Sequence, residues 1–170
     1  MTEATAITIQ IIKEHTQITP QIQDAQNAIN DLEAELQLKS AKEVVAPGRL
    51  DNQRQYLLKL KDTMDNIDSG LQTHFEREET ALLKSFEEHG NRKVSTALQS
   101  LLHEHQEIRN RFAKSKADVS ELINQDMSRE VWEGKAWGMR IYVNHTLHML
   151  KAHAQSEYDL FMSIKDELGI

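Results

Sequence analysis

Apolar residues recur every three or four positions along almost the whole chain, and this period constrains the fold more than any other feature. The spacing lays apolar side chains along one face of an α-helix. Turn signals at 47–48, 90–91 and 126–128 divide the pattern into four long segments, of which the first covers about residues 4–38 and the first connection residues 39–48. With only two prolines and six glycines, the sequence predicts an all-α protein, an up-down-up-down antiparallel four-helix bundle.

Length and composition exclude several classes of protein. A chain of 170 residues is expected to form one domain, spanning residues 1–170. The absence of cysteine rules out disulfides and metal sites that use thiolates. A net charge of −7 argues against nucleic acid or an anionic membrane as a partner. No apolar run approaches the ~20 residues of a membrane span, and the N-terminus lacks a signal-like pattern, so we expect a cytoplasmic protein.

Six chemically active side chains interrupt the apolar stripes. His15 follows Ile11 by four residues and precedes Ile18 by three, so it lies on the stripe of the first helix. Pro20 should kink that helix just past His15, or split it there. The pattern His-x-x-x-Glu occurs twice, and residues four apart lie on the same face of a helix. The six inward candidates are His15, His74, Glu78, His105, His153 and Glu157.

Height along the bundle tests whether the six residues can form one site. At a rise of ~1.5 Å per residue, the four helices bring them to one depth within about one helical turn. They should meet near the end of the bundle that holds both termini and the corner at 90–91. Two other histidines on these helices, His103 and His148, point elsewhere and are expected at the surface. His145 lies about two turns from the site and could bind a stray metal with His148 only weakly. Glu76 and Glu79 are expected to form a solvated face.

A core layer of four imidazoles and two carboxylates is costly without metal, because the buried polar groups lose their water. Two divalent cations would remove this cost, and the alternative is a metal-free polar layer. Nitrogen and oxygen ligands without sulfur suit iron, manganese or zinc. If both glutamates bridge, each ion receives two nitrogens and two oxygens, which leaves positions open for a small ligand.

These residues resemble the hemerythrin-like family, also described as the HHE cation-binding domain. The matching segments cover residues 13–15, 74–79, 103–108 and 153–157, and with the helical pattern the resemblance extends over essentially the whole chain. The ferritin-like di-iron pattern is a rival within helical bundles, but it requires Glu-x-x-His on two helices. No histidine of this sequence has a glutamate three residues before it.

The resemblance implies a non-haem di-iron centre, oxo- or hydroxo-bridged and carboxylate-bridged, that binds oxygen, nitric oxide or peroxide. By that resemblance iron is favoured over manganese or zinc. It also implies that His15 and His74 bind one iron, that His105 and His153 bind the other, and that Glu78 and Glu157 bridge the two.

The sequence departs from the oxygen-carrying hemerythrins in two places. Those proteins carry a second histidine four residues away on the third helix, where Leu101 and Arg109 stand here, and an aspartate as the last carboxylate. Four nitrogen ligands instead of five favour reaction with nitric oxide or peroxide, or redox sensing, over oxygen storage. Two functions stay open: a di-iron protein that binds or reduces a small ligand, and an iron-dependent sensor, repair or interaction bundle without turnover. No catalytic acid or base is identifiable outside the ligand set.

Overall fold

The computed structural model describes residues 3–42, 49–89 and 92–168 of the chain, and within them it contains helices and no strand. The all-α prediction is therefore confirmed. A turn of π-helix, Glu78–Leu82, joins the second and third α-helices. The α-helices are α1 (Glu3–Lys42), α2 (Arg49–Arg77), α3 (Leu83–His89), α4 (Arg92–Leu102), α5 (Glu104–Asn124) and α6 (Arg129–Leu168).

The helix boundaries match the sequence pattern in some places and differ in others. α1 continues to Lys42, so the predicted start of the first connection is wrong. It also passes through Pro20 without a break, which excludes the split and leaves the kink, the other alternative, as a prediction. Pro20 and Thr16 are both exposed. Proline has no backbone N–H to donate to the carbonyl of Thr16, so the missing helical hydrogen bond lies on the side of α1 that faces solvent. The break before the last helix is confirmed, since residues 125–128 are not helical. The turn at 47–48 and the corner at 90–91 lie outside the described residues.

Two irregularities were not predicted. The backbone widens into the π-helical turn at Glu78, the residue that was predicted to bind metal. The predicted third helix is interrupted at His103, which forms a turn between α4 and α5 and donates its backbone N–H to the carbonyl of Gln99 at 3.2 Å. Both irregularities lie at predicted ligands, because Glu78 is the first residue of the π-helical turn and His105 is the second residue of α5.

Four long helices pack around the core. α1 contacts α2 and α6, and α5 contacts the same two helices. Their apolar stripes form a main core cluster that includes Ile18, Leu71, Phe75, Ile108 and Leu150. Among the described helices, none is long and apolar enough to cross a membrane.

A second, smaller apolar cluster lies on the other side of the predicted site. In α1, for example, Ile18 belongs to the main cluster and Ile11 to the smaller one, with His15 between them. In α6, Leu150 and Phe161 flank the pair of predicted ligands in the same way. The buried members of the smaller cluster are Ile11, Leu82, Phe86, Leu98, Phe161 and Ile164. The polar layer therefore divides the apolar core into two parts.

Candidate metal centre

The structure brings all six sequence-predicted residues together in one layer. α1 supplies His15, α2 supplies His74, α5 supplies His105, and α6 supplies both His153 and Glu157. Glu78 comes from the π-helical turn. Five of the six are buried, whereas 11% of the His15 side chain is exposed. Each residue reaches the layer because it occupies an inward position on its own helix, as the spacing of apolar neighbours predicted.

Glu157 lies at the centre and divides the histidines into two pairs. Its Oε2 lies 2.8 Å from Nε2 of His15 and 3.2 Å from Nε2 of His74. Its Oε1 lies 3.2 Å from Nε2 of His105 and 2.5 Å from Nε2 of His153. Each pair of histidines, with its Glu157 oxygen, places three possible ligand atoms within 4.8 Å of one another. Glu157 thus belongs to two groups of side chains that could each hold a metal ion.

Glu78 offers a second carboxylate between the two pairs. Its Oε1 lies 2.7 Å from Nε2 of His74 and 3.8 Å from Nε2 of His105. The side chain is completely buried, and neither oxygen accepts a well-formed hydrogen bond within the described part of the chain. Buried polar atoms without a partner are rare in native proteins and call for an explanation such as an ion. The donor set therefore fits a pair of metal ions.

The charges of the layer shift the pKa values of its members. Burial alone would lower the pKa of His74, but the carboxylates of Glu157 and Glu78 outweigh it and raise this pKa to about 9. The pKa of His153 is likewise raised to about 9, against its burial, by Glu157 and Glu104. Burial and the nearby charge of Glu157 raise the pKa of Glu78 to about 8.

Glu157 shows the opposite shift. Burial would raise its pKa, but hydrogen bonds from the four histidines outweigh burial and lower the pKa well below the ordinary value. In the metal-free layer, the shifts favour the protonated forms of His74, His153 and Glu78 and the ionised form of the central Glu157. Protons and cations compete for the same atoms.

Three carboxylates outside the ligand set orient the histidines. Nδ1 of His74 lies 2.9 Å from Oε2 of Glu14, and Nδ1 of His105 lies 3.1 Å from Oε1 of Glu79. His153 makes the same contact with Glu104, at 2.5 Å. An Nδ1–H donated to a carboxylate fixes the ring and leaves the Nε2 lone pair facing the centre, as in many metal sites.

Arginines hold two of these carboxylates. Arg77 pairs with Glu14, and Arg109 donates to both oxygens of Glu79, at 2.6 and 2.9 Å. The hydrogen bonds from Arg109 hold the pKa of Glu79 below its usual range. The guanidinium of Arg109 also lies 5.2 Å from the ring centre of Phe75, which stacks on His105 at a centroid distance of 3.7 Å. Arg109 thus acts on His105 through Glu79 and Phe75.

Sequence reasoning missed this orienting layer. Glu79 was expected on a solvated face, and that expectation is wrong because its side chain contacts both His105 and Arg109. Glu76 is exposed, as expected. A usable signal was present, since Arg109 follows His105 by one helical turn and Glu79 follows the inward Glu78. The surface positions predicted for His103 and His148 are confirmed, since both residues are exposed, and His145 is exposed as well.

These features define an all-helical protein with a buried cluster of imidazoles and carboxylates that could hold metal ions. The family described as the hemerythrin HHE cation binding domain matches residues 6–163. The chain belongs to this family. A comparison with curated proteins gave no match, and neither did a comparison with solved structures.

Proposed function

We propose that the protein holds two iron ions in the six-residue centre and binds or reduces a small ligand, namely oxygen, nitric oxide or peroxide. The observation that carries this proposal is the position of Glu157, with one carboxylate oxygen facing each pair of histidines. In this proposal the first pair, His15 and His74, holds one ion, and the second pair, His105 and His153, holds the other. Glu78 and Glu157 bridge them, within an antiparallel up-down-up-down bundle.

The surroundings of the centre support small-ligand chemistry. A bound iron pair would supply electrons and open coordination positions. Ile18, Leu71, Phe75 and Leu150 line a cavity of about 10 Å³ beside the histidines and Glu157, and a cavity of this size holds about one water-sized molecule. The apolar wall excludes bulk water, while the three orienting carboxylates hold the imidazoles in place.

The number of histidine nitrogens available to the two ions favours reaction with nitric oxide or peroxide over reversible oxygen storage. Arg109 stands where the oxygen carriers place a second histidine, and both of its terminal nitrogens are engaged by Glu79. Each ion would therefore receive two imidazoles, which gives a more symmetric and more open pair than the family's oxygen carriers have.

The divided core supports a second candidate, an iron-dependent sensor or interaction bundle. Because the polar layer separates the small apolar cluster from the main one, metal occupancy would control how α3 and α4 pack against the rest of the protein. A large loss of helicity on chelation, with no turnover of peroxide or nitric oxide, would favour this candidate over the first.

The decisive experiment is metal analysis and optical spectroscopy of protein purified under iron-replete anaerobic conditions and then exposed to air. We expect two irons per chain and an absorption band of a bridged iron pair that changes when azide or nitric oxide is added. Colourless protein with a single zinc ion would contradict the proposal.

Glu78→Leu is the matched variant for this experiment. It should lose most of the bound iron, because one of the two proposed bridges is gone. Its metal-free form should melt at a higher temperature than the metal-free parent, because a completely buried carboxyl group that loses its hydration on folding is replaced by an apolar side chain of similar size. Retention of two irons by this variant would show that Glu78 is not a ligand.

A further inference from the structure

A groove between α1 and α6 opens to solvent and ends at the proposed centre. Its volume is about 280 Å³, and His15 lies at its inner end. His15 is also the most exposed of the six site residues. The remaining lining residues are Thr16, Thr19, Ile22, Gln23, Gln26, Lys151, Ala154, Gln155 and Tyr158. The groove is the place where the centre comes closest to solvent.

Small side chains keep this side of the helix pair open. Thr16 and Thr19 of α1 and Ala154 of α6 line the groove near His15. Thr19 and Ala154 also line the small cavity beside three of the histidines and Glu157. The outer groove and the inner cavity therefore share His15, Thr19 and Ala154 as a common wall. A larger side chain at position 154 would fill the space between them.

The charge of the groove differs from that of the whole chain. Lys151 contributes a positive charge, the lining contains no carboxylate, and the other polar residues are neutral. The chain as a whole carries −7. A depression whose lining carries a positive charge and no carboxylate attracts small anions in an acidic protein and raises their local concentration.

We propose that this groove is the entrance to the centre, with Thr19 and Ala154 as its narrowest point, and that Lys151 favours small monoanions of two or three heavy atoms. The inference rests on the proposed function, because it assigns a route to the metal centre described there. Azide serves as the anionic probe and nitric oxide as the uncharged one.

The first test narrows the entrance. Ala154→Leu should lower the association rates of both azide and nitric oxide at least tenfold, measured by stopped-flow absorption on iron-loaded protein, while the iron content stays the same. Ala117→Leu is the matched control, since Ala117 is exposed on α5, outside the groove, and it should leave both rates unchanged.

The second test reverses the charge. Lys151→Glu should slow azide about fivefold or more at low ionic strength, with an effect that shrinks as salt is added, and should leave the rate for nitric oxide unchanged. Lys59→Glu makes the same change of net charge at an exposed position of α2, ~22 Å along the helix from His74. It should change neither rate.

The outcomes separate this inference from the proposed function. If Ala154→Leu retains two irons and binds both probes at the parental rate, the entrance is elsewhere and the metal centre still stands. If Lys151→Glu slows nitric oxide as much as azide, or slows neither, the preference for anions is wrong. If the parent protein binds no iron, the proposed function fails and the entrance fails with it.

Discussion

At the scale of single residues, the ligands and the groups that orient them differ in how visible they are in the sequence. The six proposed ligands lie on apolar stripes, where a histidine or glutamate is conspicuous. Glu14, Glu79 and Glu104 lie at the edges of the stripes and reach a histidine of another helix. An acidic residue at such an edge has the same sequence pattern as a solvated one. For Glu79 the sequence offers a hint, since Arg109 follows His105 by one helical turn, but the packing of the helices is what identifies the histidine that each glutamate contacts.

The orienting role of Glu79 leads to a prediction for metal affinity. Glu79→Gln should weaken binding of a first-row divalent ion such as Co²⁺ about tenfold, because a neutral amide supports the imidazole of His105 less than a carboxylate does. The amide oxygen still accepts the hydrogen bond from Nδ1, so the fold should be intact. The affinity is measured by competition with a chelator of known strength, and helicity by circular dichroism.

Glu76→Gln is the control for this substitution. It removes the same charge from an exposed position less than one helical turn away, and its effect on affinity should stay below twofold. Equal effects of the two substitutions would mean that Glu79 acts only through the overall charge of the surface.

At the scale of helices, the apolar period predicts which residues face inward but not how the backbone hydrogen bonds are arranged. Leu82 follows Glu78 by four residues and both are buried, a spacing that an α-helix and a π-helical turn share. The turn at Glu78–Leu82 was therefore invisible in the sequence, although such turns often occur at functional sites. The break at His103 was missed for a similar reason, because the apolar stripe continues from Leu98 to His105 across it.

The division of the core predicts where the protein loosens when metal is removed. Chelation should increase backbone hydrogen exchange in α3 and α4, because the small cluster that holds them keeps few buried apolar contacts once the polar layer loses its ions. Exchange is measured by mass spectrometry on the metal-loaded and metal-free forms.

The main cluster provides an internal control in the same measurement. Peptides that cover Leu57–Ile67 of α2 and Phe112–Leu122 of α5 should keep their protection, since these residues pack in the larger apolar cluster. Equal loss of protection in all peptides would show that metal controls the stability of the whole fold and not that of one end.

At the scale of the whole molecule, protons in the metal-free protein occupy the side-chain atoms that would bind cations in the proposed holoprotein. The pKa of His74 and that of His153 rise from 6.5 to about 9 in the folded state, and the pKa of Glu78 rises from 4.5 to about 8. A group with a raised pKa stabilises the fold at pH values below its unfolded pKa, and this contribution is lost as pH rises through the folded pKa. All three groups therefore make the metal-free fold less stable as the pH rises.

We expect the melting temperature of the metal-free protein to fall between pH 6.5 and pH 9, by about 5 °C if the net effect is ~2 kcal/mol. Glu157 does not oppose this trend, because its lowered pKa affects stability only in acid. The metal-bound protein should gain stability relative to the metal-free form over the same range, since cations no longer compete with protons for the ligand atoms. Thermal unfolding followed by circular dichroism, with and without Zn²⁺, measures both trends. A metal-free melting temperature that stays constant or rises from pH 6.5 to pH 9 would show that the buried layer does not carry these protons.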